Sequence, residues 1–91
     1  MKISVITICY NSAHSIGDAI QSVLAQTYPN VEYIVVDGKS KDTTVEVIKS
    51  FGSGISKFVS EPDKGIYDAL NKGIKMATGD VIGFMHSDDL Y

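Results

Sequence analysis

The sequence predicts a single α/β domain built on a parallel sheet, with helices on both faces of the sheet. Runs rich in β-branched or apolar residues alternate with segments that have helical periodicity, in the order βαβαβαβ. The strands are nearly continuous in apolar residues and the connections are short, which is typical of parallel strands joined by right-handed crossovers. This pattern favours a doubly wound, Rossmann-like sheet in the strand order 3-2-1-4.

The first half of the chain predicts two strands that flank one amphipathic helix. Ile3–Cys9 is rich in β-branched residues, and residues 31–36 form a second such run that closes at Asp37. Ser12 or Ser15 is suited to cap the helix between them. One helical face of this segment is apolar, and its residues are Ile16, Ala19, Ile20, Val23 and Leu24.

The second half predicts two further helices and two further strands. A helix begins near Asp42 or Thr43, with an inner face formed by Val45, Ile48 and Phe51, and residues 55–60 form a weaker third strand. A third helix has one apolar face, consisting of Ile66, Ala69, Leu70, Gly73, Ile74 and Ala77. Gly79 is expected to end this helix in the left-handed conformation.

The last stretch, from Val81, predicts a buried strand that ends in the adjacent carboxylates Asp88 and Asp89. Acids at this place lie where open α/β sheets bind ligands. Two close carboxylates repel each other by about 1 to 4 kcal/mol, which a divalent cation would relieve. Mg²⁺ and Mn²⁺ prefer oxygen ligands and complete their shells with phosphates. The alternative to a metal site is that the acidic pair lies in a solvated loop. His86 could join a metal site, but a histidine at a strand end is more often packed or hydrogen-bonded than a ligand.

Composition excludes several classes of function. The 91 residues carry a net charge of −3 and have no cluster of basic residues, so a nucleic-acid partner is not expected. Cys9 has no internal disulfide partner, which fits a reducing compartment. The N-terminus is too quickly polar for a signal peptide, and no run approaches a membrane span. We therefore expect a cytoplasmic protein.

Other residues are predicted at the same edge as the acidic pair. No G-x-G-x-x-G follows the first strand, so a diphosphate bound here would need a metal to neutralise it. Tyr10 either packs or stacks on a base. Asp37 is either a turn residue before Gly38 or an acceptor for a base N–H. Lys64 is either solvated or, together with a helix N-terminus, holds phosphate oxygens.

Several sequence blocks resemble inverting family 2 glycosyltransferases with the GT-A fold. The first three blocks match the start of that family, and they are VITICYN (5–11), IQSVLAQT (20–27) and VVDGKSKDT (35–43). Two later blocks are similar to its bacterial polysaccharide-synthesis branch, and they are SEPDKGIYDALNKG (60–73) and ATGD (77–80). Ser87-Asp88-Asp89 falls where the family carries its acidic D-x-D-type motif, with Ser87 in place of the first acid.

The resemblance implies roles for individual residues at the nucleotide. Tyr10 would flank the base and Asp37 would bind it, while Asp63 and Lys64 would lie near the nucleotide. The bound partner would be a nucleoside-diphosphate sugar, linked to UDP, GDP or dTDP.

The resemblance also implies a metal site at the acidic motif. Asp88 would face the ribose or the donor sugar. Asp89 would ligate Mn²⁺ or Mg²⁺ bridging the diphosphate.

The same resemblance gives an expectation for the whole enzyme. Residues 1–91 would be the N-terminal, nucleotide-sugar-binding part of a glycosyltransferase domain, ending after the acidic motif. The general base and the site for a carbohydrate or lipid-linked acceptor would lie beyond Tyr91, so the chain holds no catalytic residue and is expected to be inactive alone. The full enzyme would act with inversion in cell-surface polysaccharide synthesis, in the cytoplasm or peripherally at the inner face of the membrane. Self-association through an exposed apolar flank of the fourth strand is also expected.

Two alternatives of other classes remain at this point. A signalling receiver domain would need an acidic pair after the first strand and an aspartate after the third. The chain has Tyr10-Asn11 and Glu61-Pro62 at those places, which disfavours this class. The second alternative is a non-catalytic nucleotide-binding module.

Overall fold

The computed structural model describes residues 2–25, 30–62 and 64–85. They form a parallel four-stranded sheet in the order β3-β2-β1-β4, which confirms the predicted topology. The elements in chain order are β1 (Ile3–Cys9), α1 (Ile16–Leu24), β2 (Val31–Asp37), α2 (Thr44–Lys49), a 3₁₀ turn (Gly52–Gly54), β3 (Lys57–Ser60), α3 (Ile66–Met76) and β4 (Val81–Phe84).

The sheet buries side chains on both of its faces, because β1 and β2 alternate with a period of two residues. One core cluster packs under α1 and α2, and it consists of Cys9, Ile16, Ile20, Val23, Tyr33, Val35 and Ile48. The other packs under α3, and it consists of Ile6, Ile8, Ile34, Val36 and Ala69. The expectation of helices on both faces of the sheet is thereby met. Cys9 is a fully buried thiol of the core.

Two glycines near the end of α3 are required by close approach of the backbone. A Cβ on Gly73 would lie 2.6 Å from Cγ2 of Ile6, so α3 packs tightly on β1. A Cβ on Gly79 would lie 2.6 Å from Oγ of Ser4. Gly79 is not in the left-handed conformation predicted for it; α3 ends at Met76, and Ala77 is already extended. The prediction was wrong because tertiary packing, and not a helix cap, selects this glycine.

The fourth strand is not buried as the sequence suggested. Val81, Ile82 and Phe84 are 44%, 39% and 49% exposed. Among the described residues, β4 pairs only with β1, and α3 lies over β1 and β2. An apolar run therefore marks a strand here without showing how many of its faces are covered. The exposed apolar flank that was expected on this strand is present.

Smaller differences concern the helix faces and one boundary. Leu24 and Ile74 lie on predicted inner faces, yet they are 42% and 43% exposed. Val47, together with Phe51, packs against the core beside Ile48, where Val45 was predicted. The third strand begins at Lys57, two residues later than predicted. Within the described ranges, no helix has the length and apolar character needed to cross a bilayer.

A buried carboxylate joins the elements at the amino end of the sheet. Glu32, at the start of β2, is only 6% exposed and accepts hydrogen bonds from Ser4 Oγ (2.9 Å) and from the Thr78 backbone N–H (2.9 Å). Lys2 Nζ and Lys57 Nζ lie 3.4 and 3.2 Å from its Oε2. The Thr78 N–H, helped by Ser4 and Lys57, lowers the Glu32 pKa to about 2 against the desolvation that raises it. This network ties β1, β2 and β3 to the α3–β4 connection.

Candidate functional site

Three strand ends lie side by side at the carboxyl edge of the sheet. Cys9 of β1 is in register with Asp37 of β2, and Asp37 is in register with Ser60 of β3. The segments that follow these strands therefore begin in one row. The carboxyl edge of an open parallel sheet is the usual place for a ligand. The structure thus brings Tyr10 and Asp37 to one edge, as the sequence predicted.

Asp37 is fully buried at this edge, with 0% of its surface exposed. Its Oδ2 accepts hydrogen bonds from the Ser40 backbone N–H (2.9 Å) and from Ser60 Oγ (2.8 Å). Its Oδ1 accepts one from Ser40 Oγ and a weak one from Cys9 Sγ at 3.5 Å. These donors match the roughly four lone-pair directions of an ionised carboxylate. In this conformation the Asp37 carboxylate accepts hydrogen bonds from groups of the protein itself.

The loop after β1 is fixed to the loop after β2. Asn11 has a left-handed backbone with φ of 50°, and its backbone N–H donates to Ser40 Oγ at 2.8 Å. Its side-chain Oδ1 accepts from the Lys41 backbone N–H at 2.8 Å. Tyr10, immediately before it, is 36% exposed. The tyrosine is therefore presented at the edge on a loop with a defined conformation.

A second set of bonds joins the same two loops nearer to α1 and α2. The Ser12 backbone N–H donates to Thr44 Oγ1 at 2.8 Å. Asp42 accepts from the hydroxyl of Thr44 and from its backbone N–H, the latter at 3.0 Å. The Thr44 hydroxyl lowers the Asp42 pKa most, followed by backbone N–H groups that include that of Ala13. Asp42, named as a possible cap, thus bridges two loops as well.

Lys64 lies on the loop between β3 and α3, and it is exposed. Its backbone N–H donates to Asp68 Oδ2 at 3.0 Å, and this bond is the main cause of the lowered Asp68 pKa. Lys72 holds the same loop through Pro62 O at 2.7 Å and Glu61 Oε1 at 3.3 Å. The loop is anchored by these bonds, and Lys64 itself is exposed.

Three of the predicted site residues, Asp63, Asp88 and Asp89, lie outside the described residues. In the ranges 2–25, 30–62 and 64–85 there is no group of three His, Cys, Asp or Glu side chains that would hold a metal. Mg²⁺ and Mn²⁺ nevertheless need only one or two carboxylates when phosphates complete their shell. β4 runs parallel to β1 toward the same edge, and beyond its last register pair, Ile6 with Phe84, the Met85 N–H donates to Ile6 O at 2.9 Å. The donor chemistry predicted for this edge therefore fits a hard divalent cation.

Sequence reasoning missed the residues that organise this edge. Asp37-Gly38-Lys39-Ser40 carries a local signal, because aspartate side chains often bond the backbone two or three residues ahead. Asn11 also had a signal, since asparagine tolerates the left-handed conformation. Ser60 had none, because its bond to Asp37 joins residues 23 positions apart.

The fold is that of a doubly wound α/β domain, and the strand ends described above form the edge at which such domains usually bind ligands. The chain belongs to glycosyl transferase family 2, whose family model matches residues 4–91. This confirms the family resemblance and counts against the receiver-domain alternative.

Known proteins similar to the chain are glycosyltransferases. It is 42% identical over 90 residues to an uncharacterized glycosyltransferase of Mycobacterium tuberculosis, covering 98% of this chain and 34% of that protein. It is 40% identical over 90 residues to the Escherichia coli enzyme WfgD, named UDP-Glc:alpha-D-GlcNAc-diphosphoundecaprenol beta-1,3-glucosyltransferase, covering 98% of this chain and 36% of WfgD. The chain spans about a third of the length of these two curated relatives.

Solved structures share the fold. Staphylococcus aureus TarS 1–349 in complex with UDP-GlcNAc superposes with a TM-score of 0.88 at 29% identity, covering 97% of this chain and 27% of that one. The mannosyltransferase PcManGT from Pyrobaculum calidifontis, in complex with GDP-Man and Mn²⁺, superposes with a TM-score of 0.87 at 28% identity, covering 99% and 28%. The predicted GT-A type of fold is confirmed by these similarities.

Proposed function

We propose that this chain binds the nucleotide of a nucleoside-diphosphate sugar at the carboxyl edge of its sheet, as the donor-binding part of an inverting glycosyltransferase. The observation that carries the proposal is the superposition of nearly the whole chain on a transferase in complex with UDP-GlcNAc. The edge formed by Cys9, Asp37 and Ser60, with its two linked loops, supports this location.

Each predicted residue has a place in the proposal. Tyr10 flanks the base, and Asp37 binds it. Asp63 and Lys64 lie near the nucleotide, where the cation of Lys64 attracts phosphate. Asp88 faces the ribose or the donor sugar.

Asp89 is proposed to hold the metal, which is Mn²⁺ or Mg²⁺. The presence of Mn²⁺ with GDP-Man in PcManGT supports a divalent ion at such an edge. The ion supplies positive charge to the diphosphate that leaves during transfer. Because the chain has no glycine-rich phosphate loop after β1, this charge matters more here than in a dinucleotide-binding domain.

The reaction proposed for the whole enzyme is sugar transfer with inversion. A general base removes the proton from an acceptor hydroxyl, which attacks the anomeric carbon as the nucleoside diphosphate leaves. We place the base and the acceptor site outside residues 1–91. The acceptor is a carbohydrate or a lipid-linked sugar, and the name of WfgD supports the lipid-linked kind. Such an acceptor would place the enzyme in the cytoplasm or at the inner face of the membrane.

The test is calorimetric titration of the chain with UDP, GDP and dTDP, with and without Mn²⁺. We expect one of these nucleotides to bind, and its affinity to fall at least tenfold when the metal is removed. Asp89→Asn should reproduce the loss. Asp80→Asn makes the same chemical change at the other end of the sheet and should not. Binding of no nucleotide, or binding that ignores both Mn²⁺ and Asp89, would refute the proposal.

Transfer assays separate this proposal from a non-catalytic nucleotide-binding module. We expect no sugar transfer by the 91-residue chain and transfer by a full-length enzyme that contains it. Turnover by the chain alone would contradict the proposed placement of the general base. A full-length enzyme that binds nucleotide but transfers no sugar would support the non-catalytic module.

Self-association is proposed through the flank of β4, where Val81, Ile82 and Phe84 are exposed. Exposed apolar edge strands tend to pair with other chains. Sedimentation of the chain should show concentration-dependent association that Phe84→Lys weakens. A monodisperse monomer at all concentrations would contradict this part of the proposal.

A further inference from the structure

We propose that the open edge of β3 is an interaction surface for an extended segment of a partner protein, which pairs with β3 as an added strand. The segment places one large apolar side chain in a pocket between β3 and α2, and an acidic side chain against Lys49. This surface lies on the side of the sheet away from β4. The inference goes beyond the proposed function and does not depend on it.

β3 is an outer strand of the sheet. In the part of the chain that the structure describes, it pairs only with β2. Just beyond β3 the Glu61 N–H donates to Asp37 O at 3.0 Å, and in a parallel ladder alternate residues bond to the same neighbouring strand. The N–H and C=O groups of Phe58 and Ser60 therefore face the open side. Backbone groups exposed in this way are a template for another strand.

A pocket of about 200 Å³ lies beside this edge, at the C-terminal end of α2. Its lining residues are Ile48, Lys49, Gly52, Ile55 and Phe58. A cavity of about 150 Å³ holds a benzene-sized group, so the pocket has room for one leucine or phenylalanine side chain. Phe58 connects the two features, because its side chain lines the pocket while its backbone lies at the edge.

The charged residue of β3 does not protect the edge. Natural edge strands are often blunted by a lysine that keeps other chains from pairing. Lys57 Nζ instead donates to Met76 O at 2.6 Å and lies 3.2 Å from Glu32 Oε2, so it is held against α3 and β2. The open edge of β3 is therefore accessible to a partner strand.

Lys49 gives the surface a preference for acidic partners. It is the last residue of α2, it is exposed, and none of the ion pairs among the described residues involves it. Residues two positions apart in a strand lie on the same side, about 7 Å from each other. A segment with an acid two positions from a large apolar residue therefore satisfies both Lys49 and the pocket. Backbone bonds give such complexes affinity, and the alternate side chains give specificity.

The experiment measures the binding of short labelled peptides by fluorescence anisotropy. The probe is the capped peptide KTDTLTK, whose aspartate and leucine are two positions apart. The wild-type chain should bind it at least tenfold more tightly than KTDTSTK, which lacks the apolar side chain, and about fivefold more tightly than KTKTLTK, which reverses the charge. In Lys49→Glu the preference between KTDTLTK and KTKTLTK should invert.

Backbone methylation tests whether the peptide adds as a strand. Alternate N–H groups of a strand point to opposite sides, so KTDTLTK methylated on the nitrogens of positions 3 and 5 and KTDTLTK methylated at positions 4 and 6 differ in which side is blocked. One of the two should lose binding and the other should keep it. Equal binding of both would overturn strand addition.

Controls separate this surface from the rest of the chain. Lys75→Glu makes the same charge change on α3 and should keep the wild-type preference among peptides. Lys49→Glu should bind nucleotide as the wild type does, so the inference and the proposed function can fail separately. The inference is overturned if KTDTLTK does not bind, or if Lys49→Glu keeps the wild-type preference. Self-association of the chain that Lys49→Glu weakens, without peptide binding, would assign the edge to a second copy and overturn it as well.

Discussion

Glu32 and Asp37 are two buried carboxylates on one strand, five residues apart, at opposite ends of the sheet. Glu32 is surrounded by Thr78, Ser4 and two lysines, and it joins segments that are distant in sequence. Among the described residues, the partners of Asp37 are neutral, and they are Ser40, Ser60 and the thiol of Cys9. Both carboxylates are buried, but their partners differ in charge.

The difference indicates different tasks for the two ends of β2. A carboxylate that is paired with lysines and hydrogen-bonded to the α3–β4 connection stabilises the fold. A carboxylate that is surrounded by small hydroxyl groups orients them, and one of those hydroxyls lies at the edge where we place the nucleotide. Conditions or substitutions that act on Glu32 should therefore change stability, and those that act near Asp37 should also change binding.

Glu32→Ala should have the largest effect on stability. It leaves the buried Ser4 hydroxyl without its acceptor and removes a carboxylate bonded to charged groups, so we expect a loss of about 3 kcal/mol in the free energy of unfolding. Urea denaturation measures this loss. The affinity for nucleotide should stay within twofold of wild type under folding conditions. A loss below about 1 kcal/mol would show that the hydrogen bonds and ion pairs of Glu32 contribute little to the stability of the fold.

The same carboxylate should make stability depend on pH. The Glu32 pKa is lowered from 4.5 to about 2, so its stabilising contribution is complete above pH 4.5 and is lost as the pH falls toward 2. As the pH falls between these values, the free energy of unfolding of Glu32→Gln should therefore decline less steeply than that of wild type. Equal slopes for the two proteins would contradict the assignment.

Substitutions of Asn11 should have the smallest effect on stability. Two variants separate the lost hydrogen bond from the backbone strain. Asn11→Gly removes the acceptor for Lys41 N–H but keeps a residue that tolerates a φ of 50°. Asn11→Ala removes the acceptor and adds backbone strain, so it should be less stable than Asn11→Gly by about 1 kcal/mol. Thermal unfolding of both variants measures the difference. Equal stabilities would mean that the loop relaxes out of the left-handed conformation.

Most of the fold could be predicted from local patterns. The strand order followed from the alternation of strands and helices, and the family blocks fixed the class. Exposure of β4 could not be predicted, because an apolar run does not record whether a layer covers it. Gly79 was misassigned for a similar reason, since the atoms that exclude a Cβ belong to Ser4, far away in sequence.

The candidate site was predictable only in part. Tyr10 and Asp37 were placed at the edge because strand ends converge in a parallel sheet. The bonds that define what Asp37 does involve Ser40 and Ser60, and the latter is visible only once β3 lies beside β2. The sequence therefore predicted which edge holds the candidate site. The pairing of β3 with β2 was needed to show which side chains lie beside Asp37 there.

The most direct test of the central claim is the position of Mn²⁺ relative to the two ends of β2. These ends are about 17 Å apart, so paramagnetic broadening of amide signals distinguishes them. With UDP present, Mn²⁺ should broaden the amides of Tyr10, Ser40 and Ser60 much more strongly than those of Glu32 and Asp80. Broadening confined to Glu32 and Asp80, or equal at both ends, would contradict a nucleotide and metal site at the carboxyl edge.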